Sequence, residues 1–94
     1  MFSESVIEAK YDVSGFKKDS SWKKKMQQRS EFGNLLSPND VKFLINPKAN
    51  TFIKGNTLII TDGNRWMIFN ISSPVTKVKR LGNAPDTVKG LASK

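Results

Sequence analysis

Residues 51–81 read TFIKGNTLIITDGNRWMIFNISSPVTKVKRL, and this stretch decides the fold. Three turn signals divide it into four runs rich in β-formers: residues 51–54, 57–61, 65–71 and 76–81. Gly55-Asn56 joins the first two, Asp62-Gly63-Asn64 the next two, and Ser72-Ser73-Pro74 the last two. Glycine and asparagine tolerate the positive φ that tight hairpins require, so the first two joints predict antiparallel hairpins. The expected sheet is a four-stranded antiparallel meander. Along its central runs Leu58 and Ile60 point one way and Ile59 the other, while Trp66 and Ile68 alternate with Met67, Phe69 and Ile71. Both faces are therefore apolar, where a sheet with one wet face would alternate with polar residues. Helices are expected on one face. The other is expected to be covered by the N-terminal segment or used for binding.

Before the sheet lies a helical half, residues 16–46. Ser37-Pro38-Asn39-Asp40 is a helix start: serine caps, proline occupies the first turn, and the aspartate favours the positive end of the dipole. Val41, Leu44 and Ile45 follow as an apolar face with Phe43 beside it, and Asn46-Pro47 stops the helix, giving residues 38–45. An earlier helix is expected from the cap Asp19 through residues 20–29, which lack glycine, proline and β-branched residues. Trp22, Met26 and Arg29 form its narrow buried stripe. Gly33-Asn34 marks its exit. Residues 7–13 alternate apolar and charged, which suits a strand, whereas residues 3–10 equally suit a helical turn. After Leu81 comes a loop, residues 82–85, then a short helical turn over 86–91 in a C-terminal tail, 82–94. The expected architecture is one α+β domain over residues 1–94, with two or three short N-terminal helices on the sheet.

Composition narrows the function. The 94 residues carry 16 lysines and arginines against 8 acids, a net charge of +8, and neither cysteine nor histidine. No disulfide framework, thiolate nucleophile or zinc finger is expected, and the commonest neutral-pH base is missing. No metal or cofactor is expected. So large a positive excess favours a polyanionic partner: nucleic acid first, an acidic protein next, a membrane last. No apolar run approaches a transmembrane span, and Met1-Phe2-Ser3-Glu4 lacks the features of a signal peptide.

Two features carry candidate chemistry. Residues 17–29 hold six cations, Lys17, Lys18, Lys23, Lys24, Lys25 and Arg29, against one acid, Asp19. Such a cluster neutralises phosphates and releases counterions. Fixed cations can also stabilise the charge that develops during phosphodiester transfer. The competing reading is a solvated helix face. Aromatic residues near the sheet, Phe52, Trp66, Phe69 and Trp22, could stack on unpaired bases. For Trp66 and Phe69, in central strands, a core role is the stronger expectation. Lys54, Lys77, Lys79 and Arg80 sit in edge runs, where charge discourages edge-to-edge pairing.

The order helix, capped helix, antiparallel sheet resembles the small ribonuclease toxins of the barnase, EndoU, colicin and RelE type of fold. Asn34-Leu35-Leu36-Ser37-Pro38-Asn39-Asp40-Val41-Lys42 and Gly55-Asn56-Thr57-Leu58-Ile59-Ile60-Thr61-Asp62 look like the capped helix and first hairpin of tRNA-cleaving colicin nuclease domains. The resemblance implies a metal-independent endoribonuclease acting on tRNA in the cytoplasm, with an acidic immunity protein as partner. It assigns Lys25 and Arg29 as the catalytic cations. Lys23 and Lys24 would hold phosphates with them, Lys17 and Lys18 would extend the basic surface, and Arg65, Lys79 and Arg80 would prolong the track. Glu31, Asp62 or Tyr11 would serve as base or orienting group. The alternative is a small phage-type or accessory protein that binds and inhibits an acidic host protein or a nucleoprotein complex. A third is a sequence-tolerant nucleic-acid binder without catalysis.

Overall fold

The structure, a computed structural model, describes residues 10–93. The helix-or-strand alternatives for residues 3–9 lie outside that range. Residues 10–13 are not a strand. Among the described residues, five strands form one antiparallel sheet in the order β1-β2-β3-β4-β5. They are β1 (Lys17–Lys18), β2 (Asn50–Lys54), β3 (Thr57–Thr61), β4 (Arg65–Asn70) and β5 (Thr76–Asn83). Three helices accompany them: α1 (Ser21–Gln28), α2 (Pro38–Leu44) and α3 (Asp86–Ala92), with a 3₁₀ turn at Ser30–Phe32.

The hairpins follow from their turn residues. Gly55 and Gly63 sit at φ +57° and +94°, which a side chain would disfavour. Asp62 Oδ1 accepts the backbone N–H groups of Asn64 and Arg65, both at 2.8 Å, and so closes the second turn. In the third joint the Ile71 N–H donates to the Asn56 carbonyl at 2.8 Å, tying it back to the first hairpin.

The sheet has five strands rather than the expected four. Lys17 and Lys18, the first cations of the basic stretch, form the added strand and pair with Ile53 and Phe52 of β2. A glycine turn and a contact with β2 bring them there. Gly15, at φ +83°, reverses the chain, and the Asp19 N–H donates to the Thr51 carbonyl at 2.9 Å. The Thr51 hydroxyl donates to the Asp19 carbonyl in return, pinning the entry to α1. Asp19 stands one residue before the cap, at Ser20; its carboxylate accepts the Ser21 N–H and hydroxyl.

Alternation along the strands separates two cores, as the central runs predict. Leu58, Ile60, Met67 and Phe69 face α1, the 3₁₀ turn and α2, where they meet Trp22, Met26, Phe32, Phe43 and Leu44. Phe32 and Phe69 contact edge to face, 5.7 Å between centroids. On the opposite face Phe52, Ile59, Trp66 and Ile68 meet Val88 and Leu91 of α3, with Tyr11, Val13 and Phe16 alongside. The helices are thus not all N-terminal. The C-terminal residues expected as a tail supply the second cover, because Val88 and Leu91 fall on one helical face and bury against β3 and β4.

Helix α2 has the predicted serine cap, and Asp40 completes it: the Ser37 hydroxyl accepts the Asp40 N–H and the Asp40 carboxylate accepts the Ser37 N–H. The sheet ends on β1 and β5. The outer strand β5 carries two register irregularities against β4 and exposes Val78. Bulges and charges of this kind guard an open edge. No helix among the described residues is long and apolar enough to cross a membrane.

Candidate nucleic-acid interface

Helix α1 turns Trp22 and Met26 inward, so its lysines face out by the same periodicity. The helix ends at Gln28, one residue earlier than the stripe predicts, and Arg29 adopts extended backbone as the C-cap. Its side chain still returns to the helix. Lys25 Nζ lies over the Trp22 ring at 4.6 Å and Arg29 Cζ at 5.7 Å from the same centroid. Cations are drawn to an indole face by its quadrupole, here at a largely exposed surface. Glu31, on the 3₁₀ turn, accepts from Arg29 Nε at 3.0 Å. Two cations therefore stand over one indole, and one of them is paired with a carboxylate.

The other predicted cations divide among distinct surroundings. Lys23 Nζ donates to the Asn46 carbonyl at 3.0 Å, where it ties α1 to the exit of α2. Lys24 is exposed on α1, and Lys17 and Lys18 are exposed on β1. Arg65 lies over the Phe43 ring, 5.2 Å from its centroid. Arg80 lines a groove of about 470 Å³ with Asn34, Leu36, Ser37 and Lys77. Lys79 pairs with Ile68 and acts electrostatically on Tyr11, on the face away from α1. Lys17, Lys24, Lys25 and Arg29 thus lie on or beside α1, while Arg65, Lys79 and Arg80 do not continue that surface as a single track.

Geometry also sorts the three candidate bases. Asp62 is built into the β3–β4 turn; burial pushes its carboxyl up, but the Arg65 and Asn64 amides outweigh this and hold it below the usual range. Tyr11 packs edge to face on Trp66 at 5.3 Å, and its burial raises the phenol against the opposing charge of Lys79. Only Glu31 of the three adjoins the Lys25–Arg29 cluster. Beside that cluster runs a groove of about 400 Å³, with Met26, Leu36, Leu44, Ile45, Gln28 and Arg29 among its walls. Ile45 is 57% exposed and Val41 39% exposed along it.

The aromatic set divides as well. Trp66 and Phe69 are core, as their strand positions predict, and Phe52 is 4% exposed. Trp22 is also buried and serves as a platform for cations rather than for bases. The sequence carried no signal for the Arg29–Glu31 contact beyond the two-residue spacing. It also read Asp40 only as a charge favourable to the helix dipole, whereas Lys77 Nζ from β5 reaches its carboxylate. Among the described residues no three acidic side chains gather into a cluster. Comparison with protein families, with curated proteins and with solved structures returned no match.

Proposed function

We propose that this protein binds single-stranded RNA along α1 and β1 and cleaves it, without metal, at the cluster of Lys25, Arg29 and Glu31. One observation carries the reading: Lys25 and Arg29 both stand over the Trp22 ring, and Arg29 is paired with the Glu31 carboxylate, beside the exposed Lys17 and Lys24. Lys17, Lys18 and Lys24 neutralise neighbouring phosphates and give affinity without sequence choice. In the chemical step the Glu31 carboxylate takes the proton of a ribose 2′-hydroxyl. The 2′-oxygen attacks the adjacent phosphorus, and the bond to the 5′-oxygen breaks. Lys25 gives that oxygen a proton, leaving a 2′,3′-cyclic phosphate and a 5′-hydroxyl. Arg29 stabilises the charge on the non-bridging oxygens, where a fixed donor acts most strongly. Transfer RNA is the substrate that the colicin resemblance brings to this site.

The test is incubation of the purified protein with total tRNA in excess EDTA, beside Arg29→Ala. Discrete fragments ending in cyclic phosphate, absent with the variant, support the reading. Intact RNA at high protein concentration overturns the cleavage.

A second reading rests on Val41 and Ile45. An exposed apolar ridge bordered by Arg29 suits a protein interface, where aromatic and arginine anchors dominate affinity. An acidic partner would then cover α1 and this groove. Co-purification of a defined acidic protein, with poor affinity for free RNA, favours that reading.

A further inference from the structure

The face of the sheet opposite α1 carries a concavity beside the chain segment that leads into β1. Residues 10–16 run along that face before entering β1. Tyr11, Val13 and Phe16 turn toward the second core. Asp12 Oδ1 accepts the Ser14 N–H at 2.9 Å, and the Ser14 hydroxyl also bonds it, which sets the bend. Gly15 then reverses the chain under Lys54; a side chain there would meet the Lys54 methylenes at 3.2 Å. Between this bend and α3 lies a groove of about 650 Å³.

Its lining has a definite chemistry. Tyr11, Phe16, Phe52 and Leu91 provide flat and apolar surface, and Lys10 and Lys18 stand exposed at the lining. Lys54 lies over Gly15, and Lys79 faces Tyr11. Asp12 is the acid among these groups. Thr87, also in the wall, has a buried hydroxyl oxygen with no hydrogen-bond partner. Aromatic surface beside a cationic rim suits a ligand with a flat ring, polar ring edges and an anion. A long aliphatic chain would meet too much polar wall, from Ser14, Gly15 and Thr87.

We propose that this groove binds one unpaired nucleotide, with its base against Tyr11 and Phe16 and its phosphate at Lys10 and Lys18. Stacking on aromatic side chains beside a positive groove is the general means of holding single-stranded nucleic acid. Strand β1 links the groove to α1. Lys17 pairs with Ile53, whose side chain packs in the α1-side core, while Lys18 pairs with Phe52 in the opposite core. Consecutive lysines thus straddle the edge of the sheet, and a strand lying across it touches both surfaces. The same chemistry fits a free mononucleotide. The site does not depend on cleavage at the Arg29 cluster, and its test reads binding alone.

The experiment titrates uridine monophosphate and tetrauridylate into isotopically labelled protein and follows backbone amide shifts. Both ligands are expected to move Ser14, Gly15, Lys18 and Thr87. Tetrauridylate binding about tenfold tighter identifies a site for a strand, because further phosphates are then neutralised. Equal affinity identifies a site for the free nucleotide. Lys18→Glu, at an exposed edge position, is expected to weaken either ligand about tenfold, which amounts to about 1.4 kcal/mol. Lys42→Glu, on α2 across the sheet, leaves the affinity unchanged. Phe16→Leu, which keeps the apolar volume and removes the ring, also weakens both. Shifts confined to α1, no shifts at millimolar ligand, or wild-type affinity in Lys18→Glu overturn the proposal. So does polyglutamate that moves the same amides with equal affinity.

Discussion

Lys77 Nζ lies 2.5 Å from Asp40 Oδ2, so the outer strand β5 is fastened to the first turn of α2 by an ion pair whose side chains are 17% and 6% exposed. Asp40 also accepts the Ser37 N–H at 2.9 Å. One carboxylate therefore closes a helix cap and clamps a helix to the sheet. Breaking such a pair leaves the other charge buried and uncompensated. Asp40→Ala is expected to destabilise the protein by about 3 kcal/mol, read as a lower urea midpoint at constant slope. Asp40→Asn keeps a cap acceptor and should cost less. Equal stability of Asp40→Ala and the wild type would remove the clamp from this account.

Acid should release the same clamp. Burial pushes the Asp40 carboxyl up, but Lys77 and the Ser37 amide and hydroxyl outweigh it and hold it below the usual carboxylate range. The unfolded chain then binds the proton more readily than the folded one. The contribution is full above the unfolded value of about 3.9 and is lost as pH falls through the lower folded value. Unfolding free energies measured from pH 6 down to pH 2 should fall in that window, and less steeply in Asp40→Asn. A parallel decline in both proteins would assign the acid sensitivity elsewhere.

Cleavage should separate from binding at the α1 cluster. Arg29→Ala and Glu31→Gln are each expected to slow RNA cleavage about 100-fold. Glu31→Gln removes a negative charge from a basic surface, so its affinity for a non-cleavable 2′-deoxy ligand should hold or rise. Parallel losses of rate and affinity in Glu31→Gln would deny the carboxylate a role as base.

Salt dependence tests the lysines of α1 and β1. For single strands, log affinity falls against log salt with a slope of about −0.7 for each phosphate neutralised. Lys17→Ala and Lys24→Ala should each reduce the slope by about that amount, while Lys23→Ala should leave it nearly unchanged, because Lys23 is engaged with the Asn46 carbonyl. Fluorescence anisotropy with a labelled oligonucleotide at four salt concentrations decides this.

The second core rests on α3. Val88 is fully buried against β3 and β4, and Val88→Ala is expected to cost about 2 kcal/mol. Thermal denaturation measures it. A loss below about 0.5 kcal/mol, the scale of a surface substitution, would mean that α3 covers the sheet only loosely.

The hairpins, the capped helix and the two apolar faces were legible in the sequence because their causes are local. Gly55 and Gly63 admit positive φ, Ser37 and Asp40 satisfy each other across one turn, and strand alternation assigns Leu58 and Ile59 to opposite sides. Three features needed the tertiary structure, since their causes are contacts between distant residues. Lys17 and Lys18 have no strand signal of their own and become β1 only because Thr51 holds Asp19 at the sheet edge. Val88 and Leu91 are too short a pattern to announce a core helix until Ile59 and Trp66 present a face to cover. Charge alone marked residues 17–29 as basic, but it could not distribute that charge. Folding occupies Lys23 with a backbone carbonyl, brings Lys25 and Arg29 onto Trp22 beside Glu31, and sends Lys18 to the opposite face, because each side chain follows the geometry of its own strand or helix.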